Sequence, residues 1–223
     1  MNSNTLIIAP HPDDEILGCG GTIKKLSASG TRVVVLVATR GKKEMYSEER
    51  ILNVRNEARK AHKILGVTET RFLDFPAPDL DRVSLAEISG AISEVILEYD
   101  IATVYLPHYG DIHHDHRVIF QAGLVATRPV NGIPVKSIFS YETLSETEWA
   151  APLGDMTFIP TRFVNISDFF NLKLEAMKCF KSQLRDFPNP RSLKAIEALA
   201  NLRGSTVGFN YAEAFMTIRI IED

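Results

Sequence analysis

Histidine and carboxylate side chains concentrate at two places in this chain. The first is His11-Pro12-Asp13-Asp14-Glu15. The second is Asp111-Ile112-His113-His114-Asp115-His116, preceded by His108. His11 and Asp14 are three residues apart and can reach one metal ion. Asp13, between them, stays free to handle a proton. His113 and His116 are also three apart, so at the start of a helix they share a face. Two imidazoles and one carboxylate with open positions fit catalytic zinc, which takes three protein ligands and a water. The same set suits ferrous iron as a facial triad. A two-metal phosphatase centre needs more carboxylates than are evident.

The elements around both clusters place them at strand ends. Residues 5–9 form an apolar strand leading into the first cluster, and residues 16–29 read as the helix that follows. Residues 32–38 are rich in β-branched side chains and read as a strand buried on both faces. Residues 47–65 read as a helix started by Ser47 and stopped by Gly66. Arg71-Phe72-Leu73 is a short strand, broken by Pro76 and Pro78. Residues 84–99 read as a helix with a capping box from Ser84 to Glu87. Residues 102–106 form a strand ending at Pro107, where the second cluster begins, and 114–127 are helical.

This alternation implies an α/β fold: a Rossmann-like, mostly parallel sheet with helices on both faces. In the doubly wound order, strands 5–9 and 102–106 are neighbours at the switch point, where ligands bind. Both clusters then face one crevice. The second half is less regular. It offers a strand at 137–141, a loop or flap at 143–160, a strand at 163–166, helices at 168–183 and 192–203, and a closing strand at 215–221. No repeat, low-complexity tract or linker divides residues 1–223, so a single domain is expected.

Bulk composition narrows the function classes. A net charge of −3 gives no nucleic-acid footprint. Arg40-Gly41-Lys42-Lys43 reads as a solvated loop. Two distant cysteines make no disulfide framework, and Cys19 reads as a buried thiol. No basic-then-apolar leader opens the sequence, and no apolar run approaches the ~20 residues that span a bilayer. A cytoplasmic protein is the expectation. Gly18-Cys19-Gly20-Gly21 fails as a dinucleotide fingerprint, because the third glycine would fall at Ile23; close helix–sheet packing is the better reading.

His11-Pro12-Asp13-Asp14-Glu15 with His113-His114-Asp115-His116 resembles the PIG-L/LmbE-like deacetylases, zinc-dependent enzymes that remove acetyl from N-acetylglucosamine-type sugars. The first motif matches their AHPDDE signature with Pro10 in place of alanine. The second matches their H-x-x-H element. The resemblance runs through Arg55-Asn56-Glu57 and covers the strand–helix core to about residue 140. Tyr141–Trp149 and Arg203-Gly204-Ser205 look like those of a bacterial branch of the family.

The resemblance implies roles. His11, Asp14 and His116 correspond to the metal ligands, for Zn²⁺ or Fe²⁺. Asp13 corresponds to the general base, and His113 to the acid or electrophilic partner beside the carbonyl oxygen. Asp115 corresponds to a group that fixes a histidine tautomer. Arg55 falls where the family has an arginine facing substrate; the plain alternative is an exposed helix ion pair. The substrate implied is an N-acetylated sugar, sugar nucleotide or glycoconjugate, and a homo-oligomer is implied as well.

Amide hydrolysis independently suits these residue types. It needs an activated water, a polarised carbonyl and a proton for the departing amine. Asp13 takes the water proton, an imidazolium at His113 stabilises the oxyanion, and either one protonates the nitrogen. Glu142 reads as a salt-bridge partner near the flap or a crevice residue, and Arg185, Arg203 and Tyr211 are candidates for shaping a pocket. Two rival readings remain: a hydrolase of another amide, as in thiol-glycoside metabolism, and a non-catalytic sugar-binding module. Asp13 argues against the latter, since a structural zinc site is closed by four ligands and needs no spare base.

Overall fold

Side chains alternate along the two central strands, and this divides the interior into two layers. The computed structural model describes residues 4–222. In it, β1 spans Asn4–Ala9 and β2 spans Val33–Gly41. Ile7, Ala9, Val33, Val35 and Val37 enter one core, while Leu6, Ile8, Val34, Leu36 and Ala38 enter the other. That is the period of two expected of strands buried on both faces. Helices α1 (Asp14–Ala28), α2 (Glu48–Leu65), α5 (Phe170–Lys178) and α6 (Leu193–Ser205) cover the first layer. Helices α3 (Leu85–Glu98) and α4 (His114–Ala126) cover the second.

The remaining strands are β3 (Glu69–Ala77), β4 (Ile101–Pro107), β5 (Ser137–Tyr141), β6 (Arg162–Asn165) and β7 (Ala212–Ile220). The seven strands lie in the order β3-β2-β1-β4-β5-β7-β6. The first five are parallel, and β7 runs antiparallel to both β5 and β6. β1 and β4 are paired, with Leu6 opposite Val104 and Ile7 opposite Tyr105. The sheet therefore reverses its winding between them, and the segments after Ala9 and Pro107 emerge side by side.

Several boundaries differ from the sequence expectation. β3 runs through Pro76 because it is the edge strand, where a residue without an N–H costs no interior ladder bond. Ser47 caps α2 through its hydroxyl and Gly66 ends it at φ 77°, but Ser84 makes no side-chain cap on α3. Ser84 is exposed, so water competes for its hydroxyl. Helix α5 ends at Lys178, well short of residue 183: Phe180 turns into the core and Ser182 is tied to Glu57. The flap over residues 143–160 contains only a short 3-10 turn at Gly154–Met156, and it packs tightly on the second histidine segment. His108 donates to the Met156 carbonyl at 2.9 Å.

Candidate metal and catalytic site

The loop between β1 and α1 is short and bends sharply. Asp13, at the α1 N-cap, has φ 112° and makes no side-chain cap. Its carbonyl instead accepts the first helical N–H groups, from Ile16 and Leu17. Across the switch point, His113 caps α4 through its ring: the Asp115 N–H donates to His113 Nδ1 at 3.2 Å. These two helix starts bring the histidines and aspartates together.

One donor atom each from His11, Asp14 and His116 falls within 4.8 Å of the others. Asp14 Oδ2 lies 3.3 Å from His11 Nδ1 and 3.3 Å from His116 Nε2. The opposite nitrogen of each ring is held by a second carboxylate. His11 Nε2 bonds Asp115 Oδ2 at 2.9 Å, and His116 Nδ1 bonds Asp111 Oδ2 at 2.8 Å. Both carboxylates are fixed in turn. Asp115 Oδ1 accepts from the Leu80 N–H at 3.2 Å, and Asp111 Oδ1 accepts from the Thr147 hydroxyl at 2.6 Å.

Two buried polar atoms at this point lack a hydrogen-bond partner, Asp14 Oδ1 and His116 Nε2. Leaving such atoms unpaired costs about 1–3 kcal/mol each. Both belong to the convergent trio, and nitrogen and carboxylate oxygen are the donors that zinc or ferrous iron accepts. The residues present therefore fit a divalent cation.

The electrostatics agree. Burial opposes charge on His11, but hydrogen bonds to Asp115 and Asp14 outweigh it and raise the imidazole to about 9. Burial likewise opposes charge on His116, yet Asp14 and Asp111 raise it to about 10. Burial would push Asp14 up, but His116 and His11 hold it well below the usual carboxylate range. Without a cation, positive charge is thus stored on the two imidazoles, and a cation binding there displaces their protons.

Asp13 sits differently. Burial pushes its carboxyl up to about 8, against the pull of Arg191, whose Nη1 lies 3.0 Å from Asp13 Oδ2. Arg191 is itself held by the Ser145 hydroxyl at 2.9 Å and Gln183 Oε1 at 3.2 Å. The His113 ring lies against that of His11, tilted by 60° with ring centres 4.5 Å apart. Burial and the charges of His11 and His116 hold His113 down to about 4. In the metal-free site, burial and these neighbouring charges oppose the imidazolium expected from sequence at His113. Its Nδ1 already accepts a hydrogen bond, so the ring proton belongs on Nε2.

A cavity of about 230 Å³ opens over Asp13, His11 and His113. Its far wall comes from Tyr46, Arg50, Ile51, Val54 and Arg55 of the α2 region. Arg55 reaches this wall, but its Nη2 is bonded to the Leu73 carbonyl and to Asp74 Oδ1, both at 2.7 Å. Arg185, Arg203 and Tyr211 do not line it. Arg203 pairs with Glu142 at 2.6 Å, Tyr211 bonds Glu197, and Arg185 bonds the carbonyls of Ser182 and Leu184. The sequence assigns no role to Asp111, although it lies in the second cluster, and none to Arg191. The signal for Asp111 is its place five residues before His116 in the histidine segment; Arg191, in the irregular stretch before α6, carries no motif.

The family described as PIG-L, GlcNAc-PI de-N-acetylase, matches residues 6–127, more than half of the 223-residue chain. The chain belongs to the PIG-L family. It is 32% identical over 183 residues to the uncharacterized deacetylase YaiS of Escherichia coli, covering 79% of this chain and 90% of that protein. It is 31% identical over 227 residues to the diacetylchitobiose deacetylase of Thermococcus kodakarensis, covering 93% of this chain and 80% of that one. The solved N,N'-diacetylchitobiose deacetylase of Pyrococcus horikoshii, complexed with an inhibitor, superposes with a TM-score of 0.78 at 25% identity, over 97% of this chain and 84% of that one. All three of these relatives of the PIG-L chain are named deacetylases, two of them of diacetylchitobiose, which supports hydrolase chemistry here. The family match ends at residue 127, so Arg191 and the flap lie outside it.

Proposed function

We propose that this PIG-L protein is a metal-dependent N-deacetylase that removes acetyl from an N-acetylglucosamine-type sugar or glycoconjugate. The observation that carries the reading is the convergence of His11, Asp14 and His116, two of them with unpaired buried atoms, beside a buried carboxylate at the base of a cavity. The names of the relatives supply the substrate class.

In this reading His11 Nδ1, Asp14 and His116 Nε2 hold Zn²⁺, or Fe²⁺ in its place. Such an ion supplies Lewis acidity towards the amide carbonyl and an activated water. Asp13 acts as general base. Burial raises its carboxyl to about 8, towards neutrality, and a base tuned in that direction can both accept and return a proton. Arg191 fixes its direction. His113, whose Nδ1 accepts from the Asp115 N–H, donates from Nε2 towards the carbonyl oxygen and stabilises the negative charge that develops there. Asp115 and Asp111 orient the two ligand imidazoles by accepting from the far nitrogen of each ring.

The test is acetate release from a panel of N-acetylated sugars, N-acetylglucosamine conjugates among them, alongside metal analysis. Bound metal with acetate from one or more of the panel is expected. Asp13→Ala should lower kcat by about 10²-fold or more while metal content is unchanged. Near-wild-type turnover by that variant, or no acetate from any sugar by the metal-loaded protein, would overturn the proposal.

A further inference from the structure

Asp13 is held in an unusual way. Four non-glycine residues among those described have positive φ, and two of them, Asp100 and Asn131, are exposed turn residues. Asp13 is buried, and its φ of 112° lies outside the usual left-handed well. Backbone strain of this kind persists only where the surroundings over-determine it. An aspartate at a helix N-cap ordinarily turns its carboxylate back onto the helix N–H groups. Here it does not, and the carboxylate is free to face the cavity and Arg191.

The Asp13 backbone is tied separately from its side chain. The Asp13 N–H donates to Glu15 Oε2 at 3.2 Å. The other oxygen, Glu15 Oε1, lies 2.8 Å from His62 Nε2, and His62 Nδ1 lies 2.8 Å from the Thr70 hydroxyl. A carboxylate only accepts, so the ring proton that faces Glu15 belongs on Nε2, and Nδ1 then accepts from Thr70. Glu15 and His62 are both fully or almost fully buried. The chain of contacts therefore runs from the α1 N-cap through α2 to the edge strand β3.

We infer that His62 is a positioning residue: through Glu15 it holds the Asp13 backbone in the conformation that points its carboxylate into the cavity. The inference rests on the reading of Asp13 as the general base. His62 hydrogen-bonds Glu15 and Thr70 rather than a candidate cation ligand, and it is not among the cavity-lining residues, so its removal should act on turnover without changing what is bound.

The experiment compares His62→Leu with His62→Gln in the metal-loaded protein, using an N-acetylated sugar that the wild type turns over. His62→Leu removes the donor to Glu15. It should lower kcat about tenfold or more, with KM within about twofold and metal content unchanged. His62→Gln retains an N–H for Glu15 and should recover to within about threefold of wild type. A second readout needs no turnover: the Asp13 amide proton in an NMR spectrum should move upfield in His62→Leu and stay in place in His62→Gln. Wild-type kcat and an unmoved amide in folded His62→Leu would overturn the inference. So would loss of fold or metal in both variants, which would make His62 a stability residue alone. If Asp13→Ala keeps turning over, the base assignment fails instead, and the amide shift still decides whether His62 holds the backbone.

Discussion

Asp13, Asp14 and Glu15 are adjacent acidic residues that meet three different environments. Asp14 lies between two imidazoles and is held ionised by them. Glu15 is buried against His62. Asp13 has a single guanidinium partner and a cavity in front of it. The chemistry of the side chains is nearly the same; the neighbours set the difference. Asp111 tests this at one remove. Asp111→Ala strips the anchor from His116 Nδ1 and should weaken metal binding about 10–100-fold, read by competition with a chelator. The two clusters were legible in the sequence because each lies in a short run at a strand end, where residue spacing decides what can converge; the choice of His116 over His113 as third candidate ligand came from the family resemblance. Arg191 was not legible. It stands 178 residues from Asp13, and no local pattern ties an arginine before one helix to a carboxylate before another.

At the scale of elements, close approach of α1 to its neighbours fixes where the first motif can sit. A Cβ on Gly18 would fall 2.3 Å from Tyr141 Cδ2, and Tyr141 donates to the Ile8 carbonyl at 2.8 Å. The glycine-rich run after the motif is thus a packing feature, as its failed nucleotide spacing suggested. Gly18→Ala must push Tyr141 or α1 aside. It should cost about 1–3 kcal/mol, measured by denaturant unfolding. The parallel strands were legible because β-branched runs buried on both faces need no partner to be recognised. β3 was read too short, since Pro76 signals a break in any strand except an edge one. α5 was read too long, since what ends it is the tertiary tie between Ser182 and Glu57 rather than a local stop signal.

For the whole molecule, a buried ion pair joins the first half to the last strand. Lys173 Nζ on α5 lies 2.6 Å from Glu213 Oε1 on β7 and donates to the Leu17 carbonyl at 2.8 Å. Glu213 also accepts from the N–H groups of Gly21 and Thr22 in α1. Lys173→Ala leaves that carboxylate buried without its countercharge and should cost about 3–5 kcal/mol, read as a lowered unfolding midpoint. The sequence could mark β7 as a strand but not its place in the sheet, because antiparallel pairing leaves no local trace of order. β7 follows β6 in the chain and yet lies between β6 and β5. On the ribosome, β6 therefore emerges before the strand it must pair with exists. Pulsed hydrogen exchange during refolding should protect amides of β1, β2 and β4 before those of β6 and β7. Each newly made molecule would then gather His11, Asp14 and His116 first and bring Arg191 to Asp13 last, so that the means of gripping an ion precede the means of using it.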